Sequence, residues 1–182
     1  AEALKRVEEI VSEATKYKLK VRAYISCVLG CPYEGKVSYK KTADLASFLI
    51  EQGCYQISLG DTIGCGTPFE VIKLFETVSK AVNIESLAAH FHDTYGQALS
   101  NIYAVLQMGV QTLDTSISGL GGCPYAKGAT GNVATEDVLY MLNGMGISTG
   151  VKLEKILAVS KYINKYLNRM PSSRVAMANF NK

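Results

Sequence analysis

The sequence predicts an α/β fold on a parallel sheet, and within that class a TIM-type (β/α)8 barrel. Residues 1–182 would form one partial barrel domain: its C-terminal half, about four βα units and a further helix. Three observations point there. The pattern runs helix, then strand–helix four times, with a few tens of residues from strand to strand; such spacing needs crossover helices and hence parallel strands. The strands are apolar nearly throughout, as in a sheet covered on both faces. Polar residues gather just after each strand, at 26–31, 58–62, 90–94 and 116–132. In a barrel all such loops open onto one face. The competing open doubly wound sheet usually carries a G-x-G-x-x-G or P-loop turn after its first strand, and neither is present. A whole barrel needs eight units and typically about 250 residues; 182 residues hold half of one, with strands one to four missing.

Each element has a local cause. Leu4, Val7, Ile10, Val11 and Ala14 recur at helical spacing over 2–17, with Glu and Lys on the other face. Val21 to Leu29 is a β-branched and aromatic strand closed by Gly30-Cys31-Pro32. Ser38 suits the N-cap of a helix to Gln52, and Gly53 ends it. Tyr55–Leu59 reads as the second strand, and Thr67-Pro68 opens the next helix with Pro at its first position. Residues 86–93 form the third strand, 95–108 a helix stopped by Gly109, and 110–118 the fourth strand. A long glycine-rich loop runs from Gly119 to Gly131; Asn132 or Thr135 caps a helix to Asn143, and a last helix spans 153–168. The final dozen residues read as frayed.

Composition narrows the function. At 48% hydrophobic and 19% charged the chain has the apolar mass to bury a core, which excludes disorder. No uncharged apolar run approaches the ~18 residues of a membrane span. A net charge of +3 with no basic run, aromatic–basic face or zinc-finger spacing excludes nucleic acid as the expected partner. Five cysteines, an odd and sparse set, suit free thiols in a reducing compartment rather than a disulfide scaffold. The chain enters helix-like sequence at once, without an initiator Met or a signal peptide, so a preceding segment is expected.

Few residues can do chemistry. The two histidines, His90 and His92, stand two apart at a strand end, so both side chains face one way and Phe91 the other. Two imidazoles followed by Asp93 suit a divalent metal; the plainer alternative is a hydrogen-bonded core pair. Asp61 ends its strand in Leu-Gly-Asp-Thr, where a carboxylate can orient a hydroxyl or move a proton, or simply organise a turn. Cys123 lies within Gly119-Leu-Gly-Gly-Cys-Pro-Tyr125, a loop with the freedom to close over a substrate. Its thiol is a candidate acid, base or nucleophile, although Gly30-Cys-Pro-Tyr33 repeats four of its residues. Asn132 can complete a hard-metal shell or cap a helix. Glu136 and Asp137, in a first helical turn, suit the helix dipole. Cys27 and Cys31 alone make no zinc site, and Cys54 and Cys65 read as structural.

Four stretches, Val21–Gly35, Ile57–Gly64, His90–Ala98 and above all Ser116–Asp137, resemble the 3-hydroxy-3-methylglutaryl-coenzyme A lyase family. The likeness runs over essentially the whole chain, and the cysteine-bearing loop separates it from the related isopropylmalate and homocitrate synthases. What the resemblance implies is a magnesium- or manganese-dependent TIM barrel that cleaves its acyl-CoA substrate to acetoacetate and acetyl-CoA, in ketogenesis and leucine degradation. It implies His90 and His92 as metal ligands, Asn132 in the cation's shell, and Cys123 as the acid that protonates the departing carbanion. Asp61 would transfer a proton or hold substrate, and Arg22, Tyr24 and Ser58 would line the pocket. It implies a homodimer at full length, in the mitochondrial matrix or else the cytosol.

The departures are specific. The family's first-strand Arg-Asp pair, whose Asp ligates the metal, has no match before Val21. Thr130 stands where Ser is usual, and the tail Ala-Asn-Phe-Asn-Lys182 lacks the Cys-Lys-Leu ending of many members. These 182 residues alone are therefore expected to be inactive, and their open sheet edges to favour association. A condensing synthase of the same superfamily and a non-catalytic half-barrel are the alternatives.

Overall fold

A computed structural model describes residues 2–122 and 130–179. The order is α1 (Glu2–Lys16), β1 (Arg22–Ile25), α2 (Tyr39–Glu51), β2 (Gln56–Asp61), α3 (Pro68–Val78), β3 (Leu87–Phe91), α4 (Ala98–Gln107), β4 (Thr112–Asp114), α5 (Thr135–Gly144), α6 (Leu153–Tyr166) and α7 (Arg174–Asn179). The four strands form one sheet in the order β1-β2-β3-β4, every pair parallel. Sequential order without a switch point is the topology of a barrel segment; a doubly wound sheet reverses its order part-way. No described helix is long and apolar enough to cross a membrane.

The sheet is strongly curved. Arg22 on β1 donates Nη1–H to Asp114 Oδ1 on β4 at 2.9 Å, although two strands lie between them. In a flat sheet those strands would stand about 14 Å apart, at the usual spacing of about 4.8 Å per strand. Only a concave face lets an arginine and an aspartate close that gap.

The two faces differ in kind. Ile57, Leu59, Leu87, Ala89 and Phe91 are buried on the convex side against Val71, Leu74, Phe75 and Val78 of α3 and Ile102 and Val105 of α4. Phe75 and Phe91 meet edge to face, ring centroids 6.4 Å apart. The concave face carries Arg22, Tyr24, Gln56, Ser58, His90, Thr112 and Asp114, one step of two along each strand. Period-two alternation thus sends apolar residues to the helices and polar ones to the lumen.

Where the expected elements shift, a tertiary partner is responsible. The strands are shorter than read: the first ends at Ile25, the third at Phe91 and the fourth at Asp114. Beyond them the chain pairs through single bridges, His92 with Asn132 and Ser116 with Ala134. Those bridges start α5 at Thr135 with Ala134 in the cap position, so neither Asn132 nor Thr135 is the N-cap. Ser38 does cap α2, its Oγ accepting from Lys41 N–H.

The tail is a correction. It is ordered to Asn179 as α7, because Asp137 of α5 accepts hydrogen bonds from Ser173 Oγ, Arg174 N and Val175 N. That is a helix cap supplied by a side chain 36 residues away. Glu136 likewise does more than complement a dipole. It is wholly buried, and both its oxygens accept the Ser118 N–H. Ser118 sits at φ +56°, a conformation a non-glycine residue holds only when its surroundings fix it. Asn164 Nδ2, Arg169 Nη2 and Ser172 Oγ supply the rest of that fixation from the C-terminal segment.

Candidate active site

All four strands end on one side of the sheet, and the polar residues after them meet there. His90 and His92 face the same way, ring centroids 5.5 Å apart, while Phe91 points into the convex core. His92 is buried and His90 is partly open on the concave face. The Tyr24 ring stands edge-on to His90 at 5.8 Å and is itself half exposed.

Asn132 is brought directly beside His92. The two residues form a β-bridge, and Asn132 Nδ2 donates to Leu120 O at 3.0 Å. The amide thereby fastens the base of the glycine-rich loop, and no hydrogen bond among the described residues engages its Oδ1. The base is narrow: a Cβ on Gly131 would lie 2.0 Å from Gly119 O and 2.1 Å from Gly121 O. Cys123 falls within 123–129, outside the described residues.

Beneath the histidines runs a chain of hydrogen bonds across the concave face. Thr112 Oγ1 accepts from Gln56 Nε2 at 3.0 Å, and Gln56 Oε1 accepts from Arg22 Nε at 2.8 Å. Arg22 also bonds the Tyr24 hydroxyl and the Asp114 carboxylate. Ser58 Oγ donates to Asp114 Oδ2 at 2.6 Å. His90 Nδ1 lies 3.4 Å from that same oxygen, facing it without a well-formed hydrogen bond. Burial alone would raise the Asp114 pKa; its His90, Arg22 and Ser58 partners outweigh burial and hold it at about 2. Asp114 is therefore a fixed negative charge in the lumen. The sequence reading missed it. The signal was available in Thr112-Leu-Asp114, whose alternation puts both polar residues on the face that carries His90.

Asp61 is placed differently. It is wholly buried, with its carboxylate turned back onto the 64–66 turn, accepting Cys65 N–H at 3.2 Å and Gly66 N–H at 2.8 Å. Burial raises its pKa, and the N–H groups of Gly66, Cys65 and Gly64 work against that rise. Its main-chain oxygen accepts His92 N–H, so the same residue anchors the end of the strand that carries both histidines. Gly64 completes the fit. It sits at φ +64°, and a Cβ there would lie 2.8 Å from His92 O.

His92 is shifted down, by burial first and by the neighbouring His90 second, with the Thr130 backbone opposing. A neutral imidazole is the form that ligates metal. Cys65 is pushed up to about 11 by burial and by the Asp61 carboxylate. Iodoacetamide labelling of Cys65 in the folded chain, followed by peptide mass spectrometry, is expected to keep rising past about pH 10, where an ordinary thiol with a pKa of about 8.5 has levelled off. A plateau below about pH 9 contradicts this placement.

The donor set tests whether a divalent cation fits. The imidazoles of His90 and His92 stand side by side, the buried Nδ1 of His92 has no hydrogen-bond partner among the described residues, and Asn132 is bridged beside them. Two imidazoles and a carbonyl oxygen suit a magnesium- or manganese-class ion with water or substrate completing the shell. No group of three His, Cys, Asp or Glu side chains converges among the described residues, so such an ion would need further ligands. Arg22 Nη2 is also buried without a partner, a donor on the lumen wall.

The similarities run the same way. The chain is 52% identical over 180 residues to the cytoplasmic 3-hydroxy-3-methylglutaryl-CoA lyase of Mus musculus, covering 99% of this chain and 52% of that protein. It is 54% identical over 177 residues to the mitochondrial hydroxymethylglutaryl-CoA lyase of Bos taurus, covering 97% of this chain and 54% of that one. The crystal structure of hydroxymethylglutaryl-CoA lyase from Pseudomonas aeruginosa superposes with a TM-score of 0.95 at 50% identity, over 99% of this chain and 60% of that one. The chain thus spans about half the length of the curated relatives it matches. The HMGL-like sequence profile matches residues 1–163, and on that match, together with the half-barrel fold, the chain belongs to the HMGL-like family.

Proposed function

We propose that this chain carries the metal-binding half of a carbon–carbon lyase that cleaves 3-hydroxy-3-methylglutaryl-CoA to acetoacetate and acetyl-CoA. The observation that carries the reading is the meeting of His90, His92 and Asn132 at the mouth of the curved sheet. Relatives above 50% identity that bear that activity in their names support it. Bound by the two imidazoles and the Asn132 oxygen, a magnesium or manganese ion would supply positive charge to the substrate's hydroxyl and carbonyl oxygens.

The remaining roles fall to side chains. The substrate's tertiary hydroxyl must lose its proton as the bond to the acetyl carbon breaks. That bond's electron pair passes to the acetyl-CoA enolate, which then takes up a proton. Arg22, charged and with Nη2 free on the lumen wall, binds an anionic oxygen of the substrate. Tyr24 narrows the mouth beside His90. Asp61, held by the Cys65 and Gly66 N–H groups and with its pKa raised by burial, is the carboxylate that takes up the hydroxyl proton. The Cys123 thiol donates the proton that quenches the enolate.

The compartment proposed is the mitochondrial matrix, from the mitochondrial relatives, with the cytosol as alternative from the cytoplasmic ones. The assembled enzyme is proposed as a homodimer.

The test joins the chain to the N-terminal half of one of these relatives, restoring eight strands. With magnesium the chimera is expected to release acetoacetate from 3-hydroxy-3-methylglutaryl-CoA, and the 182 residues alone to release none. A folded chimera that condenses acetyl-CoA with a keto acid but leaves this thioester intact overturns the reading.

A further inference from the structure

We infer that Asp114 is the positioning residue of this site: clamped by Arg22 and Ser58, its carboxylate fixes the tautomer of His90 so that Nδ1 bears the proton and Nε2 the lone pair. The inference deepens the proposed cation site, but its first arm stands without any cation. Asp114 on β4 is the register partner of His90 on β3, so the two side chains rise from neighbouring strands onto the same face. Each Asp114 oxygen is held: Oδ1 by Arg22 Nη1 at 2.9 Å and Oδ2 by Ser58 Oγ at 2.6 Å. Arg22 is in turn held by Gln56, and Gln56 by Thr112. The carboxylate has no freedom to swing away, and Oδ2 stands 3.4 Å from His90 Nδ1.

An ionised carboxylate accepts hydrogen bonds and donates none. The imidazole nitrogen that faces it must therefore be the one carrying hydrogen. A free neutral histidine prefers the proton on Nε2. Asp114 reverses that preference and leaves Nε2 as the basic atom. Ligating histidines commonly donate their other N–H to a carboxylate, which aims the ring and raises its basicity. His92 has no such partner among the described residues; its Nδ1 is buried and unbonded. The two histidines are thus unequal: one is fixed by a carboxylate, and the other rests on packing and the loop base.

The chain's two histidines make the test clean. Long-range 1H–15N spectra of the metal-free, 15N-labelled chain at mildly alkaline pH report the tautomer of each ring. In the wild type, His90 is expected as the Nδ1–H form. In Asp114→Ala it becomes predominantly Nε2–H while the His92 signals stay in place, and Mn2+ affinity falls about tenfold to a hundredfold. Ser58→Ala, which keeps the carboxylate, retains the Nδ1–H form. A wild-type His90 protonated on Nε2 overturns the inference even if Asp114→Ala does not fold. So does a folded Asp114→Ala chain whose His90 tautomer is unchanged. Wild-type protein that shows the predicted tautomers and binds no Mn2+ upholds the positioning role and counts against the cation site.

Discussion

Gly131→Ala is expected to cost about 3 kcal/mol of stability and to abolish turnover in the proposed assembled enzyme, whereas Gly122→Ala leaves stability nearly unchanged. The added methyl at 131 would lie 2.0 and 2.1 Å from two main-chain oxygens, a clash that no rotamer relieves. The segments 119–121 and 130–132 must then separate. Their separation strains the Asn132–Leu120 hydrogen bond, the Asp93 N–H to Gly131 O bond and the bridge to His92. One methyl thereby loosens the amide and an imidazole of the proposed cation site together. At Gly122 no atom of the described residues lies within 4 Å of the added carbon, so that variant measures an added methyl without this clash. Urea melts of the two variants decide the matter, since surface changes usually stay within about 0.5 kcal/mol. Equal midpoints would mean that the loop base is not closed as described.

His92→Ala is expected to lower Mn2+ affinity by at least about a hundredfold and activity of the assembled enzyme by more than about a thousandfold. In the proposed cation site, loss of one of two imidazole donors would remove a direct bond, which exceeds the tenfold to hundredfold typical when only an outer partner is lost. Stability should change little by comparison. His92 is buried, but its neighbours are His90 and the loop base rather than the convex core. A variant with wild-type melting and wild-type Mn2+ affinity would remove His92 from the site.

Much of this arrangement is legible in the sequence, and the illegible part has a common cause. The strand–helix alternation, the parallel sheet and the shared direction of His90 and His92 follow from periodicity, a property of neighbouring residues. Asp114 escaped notice because its meaning comes from Arg22, 92 positions away, which no local pattern connects to it. The helix at 174–179 escaped for the same reason: its cap is Asp137. Glu136 read as a dipole partner, yet it binds the main chain of Ser118 in a turn that only the C-terminal segment holds in place. Sequence patterns placed the elements; the side chains that lock the ends of those elements together are set by the fold.

The most direct test of the cation site is paramagnetic broadening by Mn2+ in the metal-free chain, read on the ring signals of its two histidines. Substoichiometric Mn2+ is predicted to broaden His90 and His92 together, with the Asn132 side-chain amide, before any other resonance. Broadening that spares both rings, or that reaches one and leaves the other sharp, would contradict the account.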